Sequence, residues 1–443
     1  MNLNSWVFRY LVYYPVIILR GEWLVGHLND LRKSQYQPPD GIRDLQLARL
    51  NKLLAHAKRT VPFYSDLPEL SLKRIDDISE LPFLEKDQLR REARRLCSAE
   101  KGYMTREKTT GGSTGAAVTI RKDCRGMAQE LAATWRGYQW AGIDIGDKQA
   151  RFWGVPQQKK DYLRSKLVDL VTNRLRFSAF SFSEKELGFY VEKLKASRPV
   201  YFYGYVSMIK QLADYIEKTG QAGALRPKAV ITTSEVLSEP DRAKISEVFG
   251  CKVYDEYGCG EIGTIAHECE HGSMHVSAEN MIVEIVDENG KPVEPGRSGE
   301  IVVTDLVNFS MPLIRYRIKD YATMGTSRCP CGRQLPVLSN IHGREYDMLV
   351  NSKGEKFHGE FFLYMVEELK QEGMHIEGFQ LTQESDRLVI RLKCPEEVYP
   401  NVLSKMRKLI AERFDQHIAI EGKKVSEIKR EPSGKLRVIR RER

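Results

Sequence analysis

Each thing missing from this 443-residue sequence removes a class of protein. No unbroken apolar run reaches the ~20 residues of a membrane-spanning helix. The nearest approach, Trp6 to Leu19, is interrupted by Arg9 and Pro15. The chain then continues Arg20-Gly21-Glu22-Trp23. No small-residue cleavage site comes after it, which argues against a secretory signal. The 8 cysteines are scattered too thinly for a small disulfide scaffold. Its Gly-rich segment lacks the Gly-Lys-Ser/Thr ending of a Walker loop. No basic stretch is interleaved with aromatics, so nucleic acid is not an expected partner. Internal repeats and low-complexity segments are also absent.

What remains is a chain long enough for two or three domains. A 42% hydrophobic and 29% charged composition fits a globular protein. Much of the net charge of +9 sits at the C-terminus, where Lys423 to Arg443 holds nine Lys/Arg against three Glu. A solvated basic tail or contact with an anion such as ATP, coenzyme A or a lipid surface would account for it. The apolar stretch Trp6–Leu19 has two readings: a helix packed on the protein body, or a helix lying on a membrane surface.

Leu45, Leu47, Leu50, Leu53 and Leu54 predict a helix over 41–60, ended by Pro62. A charged helix is expected over 85–95, a strand over 116–121 and a helix over 127–138. Strands at 199–204, 229–233 and 251–254 alternate with helices at 206–218 and 239–249, the pattern of an α/β domain with a largely parallel sheet. After residue 273 the texture changes. Short strands at 281–286, 299–304 and 312–317, with turns at Glu288-Asn289-Gly290 and Pro295-Gly296, suggest a small β-rich subdomain. From Met348 a separate α+β unit is expected, with helices at 361–372 and 398–414 and a strand at 387–392.

A series of motifs carries chemistry. Thr109-Thr110-Gly111-Gly112-Ser113-Thr114-Gly115 offers backbone N–H groups and hydroxyls to an anion. Further along the chain come Thr233-Ser234-Glu235, Glu256-Tyr257-Gly258-Cys259-Gly260-Glu261, Arg315-Tyr316-Arg317-Ile318-Lys319-Asp320, Gly343-Arg344-Glu345-Tyr346-Asp347 and Pro432-Ser433-Gly434-Lys435. Their order and spacing resemble the adenylate-forming superfamily of acyl-CoA synthetases, adenylation domains and luciferases. Within it, Val61-Pro62-Phe63-Tyr64, Met311-Pro312-Leu313-Ile314-Arg315-Tyr316 and the Cys-x-Cys-Gly before Gly-Arg look most like phenylacetate–coenzyme A ligases and capsular polysaccharide proteins of the CapK type.

The resemblance implies an α/β N-terminal domain with a mobile α+β C-terminal lid, dividing as 1–40, 41–346 and 347–443. It also implies ATP, Mg²⁺ and a small carboxylic acid as reactants. Thr110, Gly112, Ser113, Thr114 and Gly115 would hold phosphates. Ser234, Glu235, Glu256, Tyr257, Gly258 and Asp320 would hold adenosine, Asp320 through the ribose. Glu261 would ligate Mg²⁺, a role suited to a carboxylate. Arg344 would approach the nucleotide, Asp347 would be the hinge, and Lys435 would stabilise charge developing on phosphorus. The acid pocket would draw on Trp153, Tyr203–Tyr205 and the segment after Glu261. Ala116-Ala117, Gly260 and Lys319 depart from the family pattern. Asn351-Ser352-Lys353-Gly354 does not match the family's glycine-bearing thiol-channel loop, so the acceptor could be coenzyme A, another thiol or an amine.

Cys329-Pro330-Cys331-Gly332 is a zinc-knuckle-like turn supplying two of the four ligands tetrahedral zinc needs. The resemblance points to Cys269 and His275 for the others, with His267 and His271 as alternatives, in a structural site within a β-rich region of about 265–342. The expected location is cytoplasmic, extending to the inner face of the membrane. A rival reading is a nucleotide-binding scaffold in a membrane-associated polysaccharide biosynthetic complex.

Overall fold

A computed structural model describes residues 3–68, 71–100, 102, 104–109, 118–153, 159–178, 184–344, 348–353, 356–358, 360–429 and 437–442. The chain divides into two compact units: Met1–Ile318 with Ala322–Asn340, and Lys319–Tyr321 with Ile341–Arg443.

In the first unit, β1 (Arg106–Thr109) and β2 (Thr119–Lys122) form an antiparallel pair. The rest of its strands belong to one 11-stranded sheet. They are β3 (Gln149–Trp153), β4 (Arg174–Ser178), β5 (Tyr201–Tyr205), β6 (Ala229–Thr233), β7 (Lys252–Cys259), β8 (Gly263–Glu268), β9 (Met274–Val276), β10 (Met281–Val286), β11 (Ser298–Asp305), β12 (Tyr316–Met324) and β13 (Val337–Arg344). The order is β10-β11-β12-β13-β9-β8-β7-β6-β5-β3-β4. From β4 to β7 the pairing is parallel, and β8 and β9 turn it antiparallel. The strands of the expected β-rich region extend this same sheet. The strand expected at 312–317 begins only at Tyr316.

Helix Val206–Lys218 shows why the parallel half forms. Val206, Met208, Ile209, Leu212, Ala213 and Ile216 fall on one face and are buried. Each large side chain among them contributes roughly 1.5–3 kcal/mol by leaving water. Helix Glu239–Phe249 is stopped at both ends by its sequence. The Ser238 side chain accepts from Asp241 N–H, and Gly250 takes φ +62° beyond the last turn.

The sheet's other face is covered by helix Cys124–Trp140 and the N-terminal helices. Helical backbone runs through Leu3–Val7, Phe8–Tyr13 and Tyr14–Leu19, and the middle segment is a wider π-type turn. Pro15 has no N–H to give, and the wider winding just before it absorbs that loss. Trp135 Nε1 donates to Tyr13 OH at 2.9 Å, and Arg9 Nε donates to the Ile145 carbonyl at 2.9 Å. This segment therefore packs on the body. Its outward side leaves Leu11, Leu19 and Trp23 exposed at 65%, 79% and 70%. Among the described residues no helix is long and apolar enough to cross a membrane.

The second unit contains an antiparallel pair, β14 (Met348–Val350) with β15 (Lys356–His358). Its other strands are β16 (Gly378–Gln383), β17 (Arg387–Lys393), β18 (Ala419–Lys424) and β19 (Ile439–Arg441), ordered β18-β17-β16-β19. Helices Glu360–Gln371 and Tyr399–Arg413 pack there, with Phe362, Met406 and Ile410 joining Leu381, Leu388 and Ile390 in its core.

Candidate functional site

The carboxyl ends of parallel strands are where open α/β sheets bind ligands. Several expected residues gather at that end of β6 and β7. Ser234 comes directly after β6 with φ +68°, a left-handed conformation costly for a residue with a Cβ. The Glu235 carboxylate accepts from Ser207 N–H at 2.7 Å and the Ser207 hydroxyl at 3.0 Å, countering the start of helix Val206–Lys218. Along β7 the register shifts between Tyr257 and Gly258. The shift bends the strand and re-aims the residues beyond it. Gly258 is required there because a Cβ would strike the Gly263 carbonyl.

Past that bend Glu261 is buried, and its carboxylate meets Lys86 Nζ at 3.4 Å. Lys86 was not anticipated; its segment reads as an exposed charged helix. In the structure that helix shortens to Lys86–Arg91, and the residues before it are stitched to β12. Leu84 N–H donates to the Arg315 carbonyl, and Arg317 N–H to the Leu84 carbonyl, both at 3.0 Å. Phe83 lies under the Arg315 guanidinium, 4.1 Å from its ring centre. Lys122 was also missed. Its buried ammonium binds Glu130 at 2.7 Å and the Ile262 carbonyl at 2.6 Å, fixing the chain next to Glu261. Burial raises the Glu130 carboxyl, but the Lys122 and Lys108 ammonium groups outweigh it and hold the carboxyl below its usual range.

Asp320 lies buried on β12, in the stretch that groups with the second unit. The preceding Lys319 adopts φ +64°, a conformation a glycine would take without strain. Glu256 does not lie with Glu261. Its carboxylate turns into the layer between the sheet and helix Cys124–Trp140, where Tyr203 OH donates to Oε1 at 3.0 Å. Thr110, Gly112, Ser113, Thr114, Gly115, Asp347 and Lys435 lie outside the described residues, as does the side chain of Arg344.

A second cluster lies at β9. The ligand atoms of Cys269, His275, Cys329 and Cys331 all fall within 4.8 Å of one another. Cys269 Sγ is 3.5 Å from Cys329 Sγ, and Cys331 Sγ is 3.2 Å from His275 Nε2. His275 Nδ1 lies 3.3 Å from the Leu335 carbonyl. A proton on Nδ1 leaves Nε2 as the lone-pair nitrogen, the arrangement usual for a metal-bound imidazole. Burial keeps that imidazole neutral by lowering its pKa to about 4, and pushes the Cys269 thiol up to about 12. Three sulfurs and one neutral imidazole fit tetrahedral zinc. Neither alternative histidine joins the cluster. His271 is exposed, and only its backbone N–H reaches Cys269 Sγ, at 3.4 Å. His267 faces Glu256, its ring set so close to Gly137 that a Cβ there would collide.

The fold is the one shared by solved acyl-CoA ligases. Residues 178–309 match the model of the AMP-binding enzyme family. The chain is 25% identical over 317 residues to Protein CapK of Staphylococcus aureus, covering 69% of this chain and 68% of that one. It is 25% identical over 329 residues to a phenylacetate-coenzyme A ligase of Thermus thermophilus, covering 71% and 72%. Among solved structures it resembles 2-hydroxyisobutyryl-CoA ligase in the postadenylation state, with TM-score 0.72, 21% identity and coverage of 92% and 91%. These similarities support placement in the adenylate-forming superfamily, and the relatives carrying an enzyme name are ligases.

Proposed function

We propose that this protein activates a small carboxylic acid with ATP and passes the acyl group to a thiol, with an amine as the other acceptor to test. One carboxylate oxygen attacks the α-phosphorus. A new P–O bond forms, the bond to the bridging α–β oxygen breaks, and pyrophosphate leaves. In the second step the nucleophile attacks the acyl carbon, the C–O bond to AMP breaks, and AMP departs. The observation carrying this reading is Glu261, a buried carboxylate held at the carboxyl end of the parallel strands against Lys86.

Glu261 is suited to hold Mg²⁺, which would neutralise phosphate charge. With Glu261 holding the metal, Lys86 would be available to pair with a phosphate oxygen. By resemblance, Thr110, Ser113 and Thr114 hold phosphates, Tyr257 and Asp320 hold adenosine, and Lys435 meets the charge developing on phosphorus. Acid-dependent ATP–pyrophosphate exchange tests the reading. Glu261→Ala and Lys435→Ala should each slow exchange by ~100-fold or more. Silence of the wild type across aryl, fatty, amino and sugar acids would favour the scaffold reading. Product formation with coenzyme A against amines decides the acceptor.

Cys269, His275, Cys329 and Cys331 would hold a structural Zn²⁺ that ties β8 and β9 to the Cys-x-Cys turn. Metal analysis of the purified protein should find about one zinc per chain, and a chelator should lower its melting temperature. The exposed Leu11, Leu19 and Trp23 favour one further contact, with a membrane surface. Co-sedimentation with anionic vesicles, lost on Leu19→Ser with Trp23→Ser, would support it; no sedimentation would remove it.

A further inference from the structure

The chemistry above uses Glu261 and leaves Glu256 idle. Glu256 is 8% exposed, and its Oε2 is buried with no hydrogen-bond partner. Across from it, at 3.8 Å, is His267 Nε2, also buried and unpartnered. That gap is too long for a direct hydrogen bond. Leaving a buried polar atom unmet is costly, and here two such atoms face one gap. A hydroxyl beside both atoms could donate to Glu256 Oε2 and accept from Nε2–H. With the other tautomer, an amino group could donate to both. A methyl or ring C–H would leave both unmet.

The surroundings fit the non-reacting end of a small acid. Tyr138 and Tyr203 pack beside the gap, and both hydroxyls interact with the Glu256 carboxyl, Tyr203 at Oε1. The Arg151 guanidinium lies 4.7 Å and 4.8 Å from the Trp153 and Tyr203 ring centres, and its buried Nε has no partner. Glu256 and Trp153 lie at or near the carboxyl ends of β7 and β3, the end of the sheet where Glu261 comes after β7.

We propose that the cluster of Arg151, Trp153, Tyr203, Glu256 and His267 reads the acid, and that it selects an acid bearing a hydrogen-bond-donating hydroxyl or amino group over its apolar analogue. This rests on the adenylation reading. A site built to hydrogen-bond a substrate group rejects the analogue lacking it far more strongly than an apolar slot rejects a methylene.

The test uses matched acids: lactate and alanine against propionate, and mandelate and phenylglycine against phenylacetate. Pyrophosphate release is measured for the wild type, Glu256→Gln and Glu256→Leu. At least one donor-bearing acid should exceed its apolar analogue by ~100-fold or more in kcat/KM in the wild type. Glu256→Leu should bring the pair to within about 10-fold, and the isosteric Glu256→Gln guards against misfolding. The hydroxy and amino arms show which donor is read. Wild-type preference for the apolar acids would overturn the proposal. An equal loss on both members of every pair would do so too, and would mean that a water fills the gap. Ligand-observed NMR of acid binding without ATP separates the two readings. Glu256-dependent binding without turnover sinks adenylation and keeps the pocket; turnover without Glu256-dependent selectivity does the reverse.

Discussion

The two faces of the parallel half-sheet are built from the same strands and could hardly be packed more differently. On one, Phe152, Phe202, Val230 and Val253 meet Leu212, Ile209 and Phe249. On the other, Tyr201, Tyr203 and Tyr138 crowd together, with Glu256 and His267 set beside them. Alternation along each strand sends neighbouring residues to opposite faces, so one strand serves both. The apolar face gains stability mainly from burial, and it also carries the buried Thr232 hydroxyl donating to Asp255 at 2.9 Å. The polar face keeps charged and hydrogen-bonding groups where they weaken the fold, which is expected where specificity outweighs stability.

The sharpest way to break this comparison is to damage the apolar face. Phe202→Ala should cost about 3–5 kcal/mol in denaturant unfolding and leave the choice among acids unchanged. A shift in acid preference would mean that the faces are not separable. Next comes pH. The His267 pKa is lowered to about 3 in the folded state, against about 6.5 for a free imidazole. The unfolded chain therefore takes up a proton that the folded one refuses. Stability is unaffected well above the unfolded value and falls as pH drops below it, by about 2 kcal/mol between pH 7 and pH 5. Unfolding of the His267→Asn variant should show an acid slope shallower by that amount; an unchanged slope would show that the imidazole is not held neutral. The smallest effect belongs to Tyr203→Phe. Losing the hydrogen bond to Glu256 should cost about 1 kcal/mol and free Oε1 as well as Oε2. Acid selectivity should then move more than stability does.

The apolar face was the easier to read from sequence. Helices Val206–Lys218 and Glu239–Phe249 and strand Ala229–Thr233 fall on the residues expected, because hydrophobic periodicity and capping are local signals. The site was legible only in part. His267 and His275 lie eight residues apart in one polar run and stand opposite each other across β8 and β9. What separates their roles is distant in sequence: a glycine at 137 that admits one ring, and a cysteine turn at 329–331 that meets the other. Lys86 escaped for a similar reason. A charged helix start looks solvent-exposed until Leu84 pairs with a strand more than 200 residues away. The extension of one sheet from β7 to β13 was equally hidden, since no local pattern announces which strands will be neighbours.

Strand β9 has a consequence for assembly on the ribosome. It is three residues long, and it alone links β8 to β13. Its partner residues Val337 and Leu338 emerge about 60 residues later. At roughly 5–20 residues per second, that is a wait of several seconds. During that time the parallel half can be complete while its open margin at β9 is unprotected. A nascent chain stalled before residue 337 should therefore be the form most prone to mispairing, and the two cysteines at 329 and 331 leave the ribosome just ahead of the strand that closes the sheet.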